Sequence, residues 1–134
     1  MISETDLSMP LPPLSSEENV SLLIDTFYKK VVKDPVIGFI FTDVVSLSWE
    51  KHIPIMNRFW NSLLFGANSY SGNPMEKHIA LAKKIPLTEE HFNRWLELWK
   101  TTVRELFEGP KADEAIARAA NIAGIMFLKV GTKE

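Results

Sequence analysis

Two of the three histidines, His52 and His78, fall on the apolar faces of two different expected helices in a chain that has no cysteine. An imidazole on such a face is either a core residue satisfied by a backbone carbonyl or a ligand held ready for a metal. His78 shares its face with Met75, Ala82 and Ile85, and His52 is bracketed by Trp49 and Met56. Two imidazoles in such surroundings suggest a pocket for a flat, largely apolar cofactor. The residues alone leave the structural and the ligating readings open for both. The third histidine, His91, stands beside Glu90 in the first turn of its expected helix and reads as a surface residue.

Tyr28 and Trp95 are the polar-tipped aromatics of interest. When buried, their O–H and N–H need partners, at a cost of about 1–3 kcal/mol if left unmade. Ordinary core packing with a carbonyl partner is one reading. Donation to a polar ligand inside the pocket is the other.

The absence of cysteine excludes a disulfide scaffold, a thiolate zinc site, an iron–sulfur cluster and thioether attachment of a haem. A metal would have to come through histidine, carboxylate or methionine. The carboxylates have no paired spacing for acid–base chemistry. No glycine-rich phosphate loop and no Ser–His–Asp order is present. A net charge of −2 gives no basic field for nucleic acid. The longest apolar run, 36–41, is too short to span a bilayer. The acidic start has no leader pattern, and a cytoplasmic location is expected.

The elements that must position these residues read as all-α. The 134 residues, 46% hydrophobic and 24% charged, suit one globular domain. Residues 1–14, with Pro10, Pro12 and Pro13, read as an extended or disordered lead-in. Ser15 and Glu18 have capping-box spacing, opening a helix to about residue 33 with Val20, Leu23, Ile24, Phe27 and Val31 on one stripe and Tyr28 at its edge. Asp34-Pro35 ends it, and 36–41 reads as a single turn. A second helix over 48–65 carries Trp49, His52, Ile53, Met56, Phe59, Trp60 and Leu63, with Pro54 expected to kink it. Asn73 caps a short helix begun by Pro74 that aims His78. Thr88 opens a helix with Phe92, Trp95, Leu96, Trp99, Thr102, Val103 and Leu106 inward, broken at Gly109-Pro110. The last helix, about 112–130, packs Ala115, Ala119, Ile122, Ala123 and Met126 and stops at Gly131.

The order of several segments is distinctive. Phe27-Tyr28 precedes Asp34-Pro35 and Gly38-Phe39-Ile40-Phe41. Trp49-Glu50-Lys51-His52, Phe59-Trp60 and Leu63-Leu64 follow, then Tyr70-Ser71-Gly72-Asn73-Pro74 with His78 four residues on. His91-Phe92-Asn93-Arg94-Trp95-Leu96 completes the set. Over roughly residues 17–130 this order resembles a group III truncated haemoglobin.

The resemblance implies a two-over-two helical globin in one domain, 17–134, behind an N-terminal extension, 1–16. It implies haem b, with His78 as the proximal iron ligand and Phe41 against the haem face. Tyr28 and Trp95 match the distal hydrogen-bond donors, and His52 matches a distal gate. Met56 is the bulky apolar residue one turn beyond, a soft and oxidisable distal wall. Lys77, beside His78, is the candidate for the haem propionates. The lack of a Gly-Gly pair agrees with this group.

The expected function is reversible binding of O2, and of NO, CO or peroxide, in redox or NO/O2 chemistry rather than bulk storage. NO dioxygenase-like or peroxidase-like activity and a reductase partner go with it. The competing reading is a cofactor-free helical interaction module with structural histidines. A non-haem metal site is disfavoured, since no Glu-x-x-His pair stands on the core helices.

Overall fold

In a computed structural model the chain is described over residues 10–44, 49–66 and 85–131. Four α-helices occupy these residues: α1 (Glu17–Val31), α2 (Trp49–Phe65), α3 (Glu89–Leu106) and α4 (Pro110–Val130). No strand occurs among the described residues, as the helical periodicities require. The α1 helix packs against both α2 and α3, and α4 packs chiefly against α3.

The stripe read for α1 is the centre of the core. Val20, Leu23, Ile24, Phe27 and Val31 are fully buried, and Tyr28 joins them. Each such side chain contributes about 1.5–3 kcal/mol through removal from water. The cap differs from expectation by one residue. Ser16 accepts the N–H of Asn19 at 3.2 Å, while the Asn19 carboxamide accepts the N–H of Ser15 at 2.9 Å. Ser16 is therefore the N-cap, and the Asn19 side chain reaches one residue further back, to the Ser15 N–H.

After α1 the chain turns at Asp34-Pro35 and enters a π-helical turn, Ile40–Val44, that carries Phe41. Gly38 makes this corner possible. A Cβ there would stand 3.0 Å from the Val32 carbonyl oxygen and 3.1 Å from that of Val31. Only hydrogen fits so close to a helix end.

Pro54 does not break α2, which runs through it as continuous helix. Pro54 and Glu50 both lie on the exposed face, so the carbonyl deprived of its donor is open to water. At the other end, Lys111 donates to the Leu64 carbonyl and covers the helix terminus.

Thr88 caps α3 as expected, but its partner is His91. The Thr88 hydroxyl accepts the His91 N–H, and Nδ1 of His91 accepts the Thr88 N–H at 3.1 Å. His91 is half-buried, with its ring 5.9 Å from Phe39, and is no mere surface residue. The α4 helix starts at Pro110, two residues before the expected place, with Gly109 as its N-cap at φ +102°. Proline at the first helical position costs no hydrogen bond. The Nε1–H of buried Trp99 donates to the Ala115 carbonyl at 3.1 Å, tying α3 to α4.

Residues 10–14 run extended along the α3–α4 corner. Glu108 N–H donates to Pro12 O at 3.1 Å, Leu11 N–H donates to the Glu108 carboxylate at 3.0 Å, and Leu14 is buried in the core.

Candidate functional site

The apolar stripes of α2 and α3 are each finished at one end only. In α2 Trp60, Asn61 and Leu64 are buried, whereas Trp49, His52, Ile53 and Met56 toward its start are half-buried. In α3 Trp99, Thr102 and Val103 are buried, whereas Phe92, Trp95 and Leu96 are half-buried. The buried ends meet where Trp60 stacks on Trp99 at 4.4 Å and 21°. Toward the other ends, large aromatic and aliphatic side chains remain incompletely covered. Such surface is costly to leave wet, and together it forms an apolar wall suited to a flat apolar group.

Tyr28 stands at this wall. Its ring lies 5.1 Å from that of His52 and 5.3 Å from that of Trp49, with Phe41 at 6.1 Å and Phe27 at 4.9 Å. Three elements supply these rings: α1, the π-helical turn and the start of α2. Burial raises the Tyr28 phenol above its ordinary value, because a phenolate there would lose its hydration. Protonated, as an ordinary phenol also is at neutral pH, the hydroxyl can donate a hydrogen bond. No partner for it is formed among the described residues, and this leaves it available to a polar atom entering the pocket.

His52 packs edge-on against both Tyr28 and Trp49, the latter at 5.6 Å. Its ring therefore belongs to the same enclosure as the phenol. Met56 follows one turn later on α2, half-buried against the core. Trp95 reaches the cluster through Phe27, whose ring is 5.9 Å away, and lies parallel to Trp99 at 6.3 Å and 8°.

The structure therefore brings Tyr28, Phe41 and His52 into direct ring contact and joins Trp95 to them through one intervening ring. Lys77 and His78, with Met75 and the Asn73-Pro74 start, lie outside the described residues. No group of three or more His, Asp or Glu side chains able to hold a metal occurs among the described residues. A shallow concavity of about 590 Å³ lined by Val36, Glu89, Glu90, Asn93, Arg94 and Glu97 lies elsewhere, around an acidic stretch of α3 with none of the aromatic enclosure.

Sequence reading missed one group that shapes the site. Asp34 is buried, with Oδ2 accepting the N–H groups of Val36 at 2.9 Å and Ile37 at 3.1 Å. Its Oδ1 meets Arg94, the residue before Trp95. Burial acts to raise the Asp34 carboxyl, but the Arg94 hydrogen bond, the two backbone donors and the Arg94 charge outweigh it and hold it below the usual range. The only local hint was an aspartate before a proline, which reads as a turn; its partner lies sixty residues on.

No family model matches the chain. It is 31% identical over 111 residues to the group 3 truncated hemoglobin ctb of Campylobacter jejuni, an overlap of 81% of this chain and 85% of that protein. It is 30% identical over 106 residues to the group 1 truncated hemoglobin GlbN of a Synechocystis species, spanning 78% of this chain and 81% of the relative. The crystal structure of a group III truncated hemoglobin from Campylobacter jejuni superposes with a TM-score of 0.76 at 28% identity, covering 87% of this chain and 91% of the other. No helix among the described residues is long and apolar enough to cross a membrane.

Proposed function

This chain belongs to the group III truncated haemoglobins, with their two-over-two globin fold, and from that premise we propose that it binds haem b and, at the haem, O2 or a related small ligand. The observation that carries the reading is the placement of Tyr28: a buried residue whose ring is enclosed by those of Phe41, Trp49 and His52. The residues fit the group. The half-buried aromatic wall suits a flat macrocycle, and with no cysteine in the chain thioether attachment is excluded, in keeping with haem b. Haem supplies an iron centre that binds diatomic gases and exchanges electrons.

The chain's own residues have separate roles in this proposal. His78, which follows the Asn73-Pro74 pair in the sequence, would be the iron ligand. Phe41 covers one face of the macrocycle, and Lys77 pairs with a propionate. Tyr28 and Trp95 donate hydrogen bonds to the bound ligand from rings braced by Phe27. A ligand that gains negative character on binding is favoured by such pre-set donors and leaves more slowly. His52, packed against Tyr28 and Trp49, controls entry, and Met56 provides the soft wall beyond it.

Two converging donors favour retention over rapid release. A role in redox or NO/O2 chemistry, including NO dioxygenase-like or peroxidase-like turnover with NO or peroxide, therefore suits the site better than bulk storage or transport. Sustained turnover needs a reductase, and a cytoplasmic location supplies one.

The test is the visible spectrum of the protein reconstituted with haemin, with and without His78→Ala. The expected result is a Soret band in the parent that weakens or shifts in the variant. An unchanged band in His78→Ala would remove the ligand assignment. A colourless parent that folds equally well without haem would overturn the haem reading in favour of an interaction module.

A further inference from the structure

Three of the four tryptophans in the chain form one continuous stack. Trp95 lies 6.3 Å from Trp99 with planes 8° apart, and Trp99 lies 4.4 Å from Trp60 at 21°. The stack begins at half-buried Trp95, beside Phe27 and within one ring of Tyr28. It ends in the closed part of the core, where Trp99 is 1% and Trp60 3% exposed.

We propose that Trp95, Trp99 and Trp60 form a one-electron relay through which the site draws an electron from the protein interior when it reduces a hydroperoxide. The proposal rests on the haem reading above and adds a route within the polypeptide.

The step balances as follows. Hydrogen peroxide takes two electrons and two protons, its O–O bond breaks, and two waters form. The haem group, when bound, would supply one electron and the Trp95 indole supplies the other, with both protons drawn from solvent. Trp95 is then restored by an electron from Trp99, and Trp99 by one from Trp60. The oxidised equivalent comes to rest on a buried indole, and a small-molecule donor of the ascorbate or thiol class returns both electrons.

Chemistry favours the indoles over the nearer phenol. Indole is the most readily oxidised of the ordinary aromatic rings that can lose an electron while keeping its proton. Tyrosine must shed its phenolic proton on oxidation, and no base to receive it is bonded to Tyr28 among the described residues. Trp99 is suited to hold the charge, since its Nε1–H donates to the Ala115 carbonyl at 3.1 Å and the carbonyl dipole favours positive charge on the ring. Centroid separations of 6.3 Å and 4.4 Å are short enough for an electron to tunnel from ring to ring. The fourth tryptophan, Trp49, touches Tyr28 and His52 and lies off the stack.

The experiment exposes haem-loaded protein to stoichiometric hydrogen peroxide and maps oxidised tryptophan by peptide mass spectrometry, with paramagnetic resonance of freeze-quenched samples for the radical. In the parent, Trp99 and Trp60 should carry oxidation although solvent scarcely reaches either, and an indolyl radical should be seen. The haem-free chain given the same peroxide should show neither. Trp99→Phe removes the middle ring, so Trp60 should lose its oxidation while that of Trp95 rises. Trp60→Phe keeps the Trp99–Ala115 hydrogen bond and should leave Trp99 as the end point, with greater oxidation there. Equal oxidation of Trp60 with and without Trp99, or oxidation of the buried indoles in haem-free protein, would overturn the relay. A parent that loads haem yet leaves Trp99 and Trp60 intact would overturn it too, with the haem reading still standing. A chain that shows no Soret band on loading removes both.

Discussion

Arg94 reaches from α3 to a single carboxylate oxygen of Asp34, with Nε at 2.8 Å and Nη2 at 2.7 Å from Oδ1. The other oxygen, Oδ2, holds the N–H groups of Val36 and Ile37. One buried carboxylate thus fixes both the corner that leads to Phe41 and the half of α3 that carries Trp95. The geometry of the distal wall depends on a residue that touches none of its rings.

Removing that carboxylate should loosen the corner. Asp34→Ala strands two backbone donors and is expected to cost about 1–3 kcal/mol of folding stability in chemical denaturation. The pH dependence has a defined sign. In the fold the Asp34 carboxyl is held below the ordinary aspartate value of about 3.9. Its contribution is therefore fully present above that unfolded value and is lost as the pH falls through the lower folded one. Stability from this group should be level from about pH 5 upward and fall below about pH 4. Asp34→Asn should show a shallower acid limb than the parent; identical limbs would mean that the ion pair does not couple to folding.

Gly38 tests the close approach at the same corner. An alanine methyl would meet two backbone carbonyl oxygens at 3.0 and 3.1 Å, and backbone cannot swing aside as a side chain can. Gly38→Ala should destabilise by about 1–3 kcal/mol, the usual range for overpacking. The exposed, open-sided Gly124 provides the contrast: nothing stands within 4 Å of its Cβ position, so Gly124→Ala inside α4 should be neutral or stabilising. Thermal melts of the two variants should move in opposite directions or by clearly unequal amounts.

The helices were legible because apolar periodicity survives in the stripes of α1, α3 and α4. Boundaries were less so where two capping solutions compete. Ser15 with Glu18 and Ser16 with Asn19 have equal spacing, and only the reach of Asn19 back to Ser15 selects the second. His91 hid its capping role because a side-chain acceptor for the Thr88 N–H is ordinarily Glu or Gln. At the site, Tyr28, Phe41 and His52 were singled out from their order in the chain, and the structure sets the rings of Phe41 and His52 beside that of Tyr28. The brace from Asp34 to Arg94 was not, because an ion pair across sixty residues leaves no local pattern. The stripe of α2 was legible as one apolar face, but not the incomplete cover of its first half; periodicity reports which residues share a face, not what that face meets.

The two proposed distal donors should be separable kinetically. Tyr28→Phe keeps the ring that packs on Phe27 and His52 and removes only the hydroxyl. Trp95→Phe removes an N–H together with part of the stack on Trp99. Each should speed O2 dissociation from the haem-loaded protein, by roughly tenfold if one hydrogen bond contributes about 1–1.5 kcal/mol. Stopped-flow measurement of the off-rate checks this. If neither variant differs from the parent, the donors do not reach the ligand.

Alkaline titration tests the environment of Tyr28 without any bound group. The chain has two tyrosines, Tyr28 and Tyr70, so tyrosinate absorbance has two contributors. Burial raises the Tyr28 phenol above its ordinary value of 10.0. In the unfolded chain it ionises near that ordinary value, while in the fold it keeps its proton to higher pH. A raised folded-state pKa leaves stability unaffected below the unfolded value and lowers it as the pH climbs toward the folded one, since unfolding then releases a proton. The Tyr28 share of the absorbance should therefore appear only with cooperative unfolding, followed in parallel by far-ultraviolet dichroism. Tyr28→Phe should lose that late component and unfold at higher pH than the parent. A Tyr28 signal that rises near pH 10 with the helices intact would place the hydroxyl in water, and the donor role proposed for it would fall with its burial.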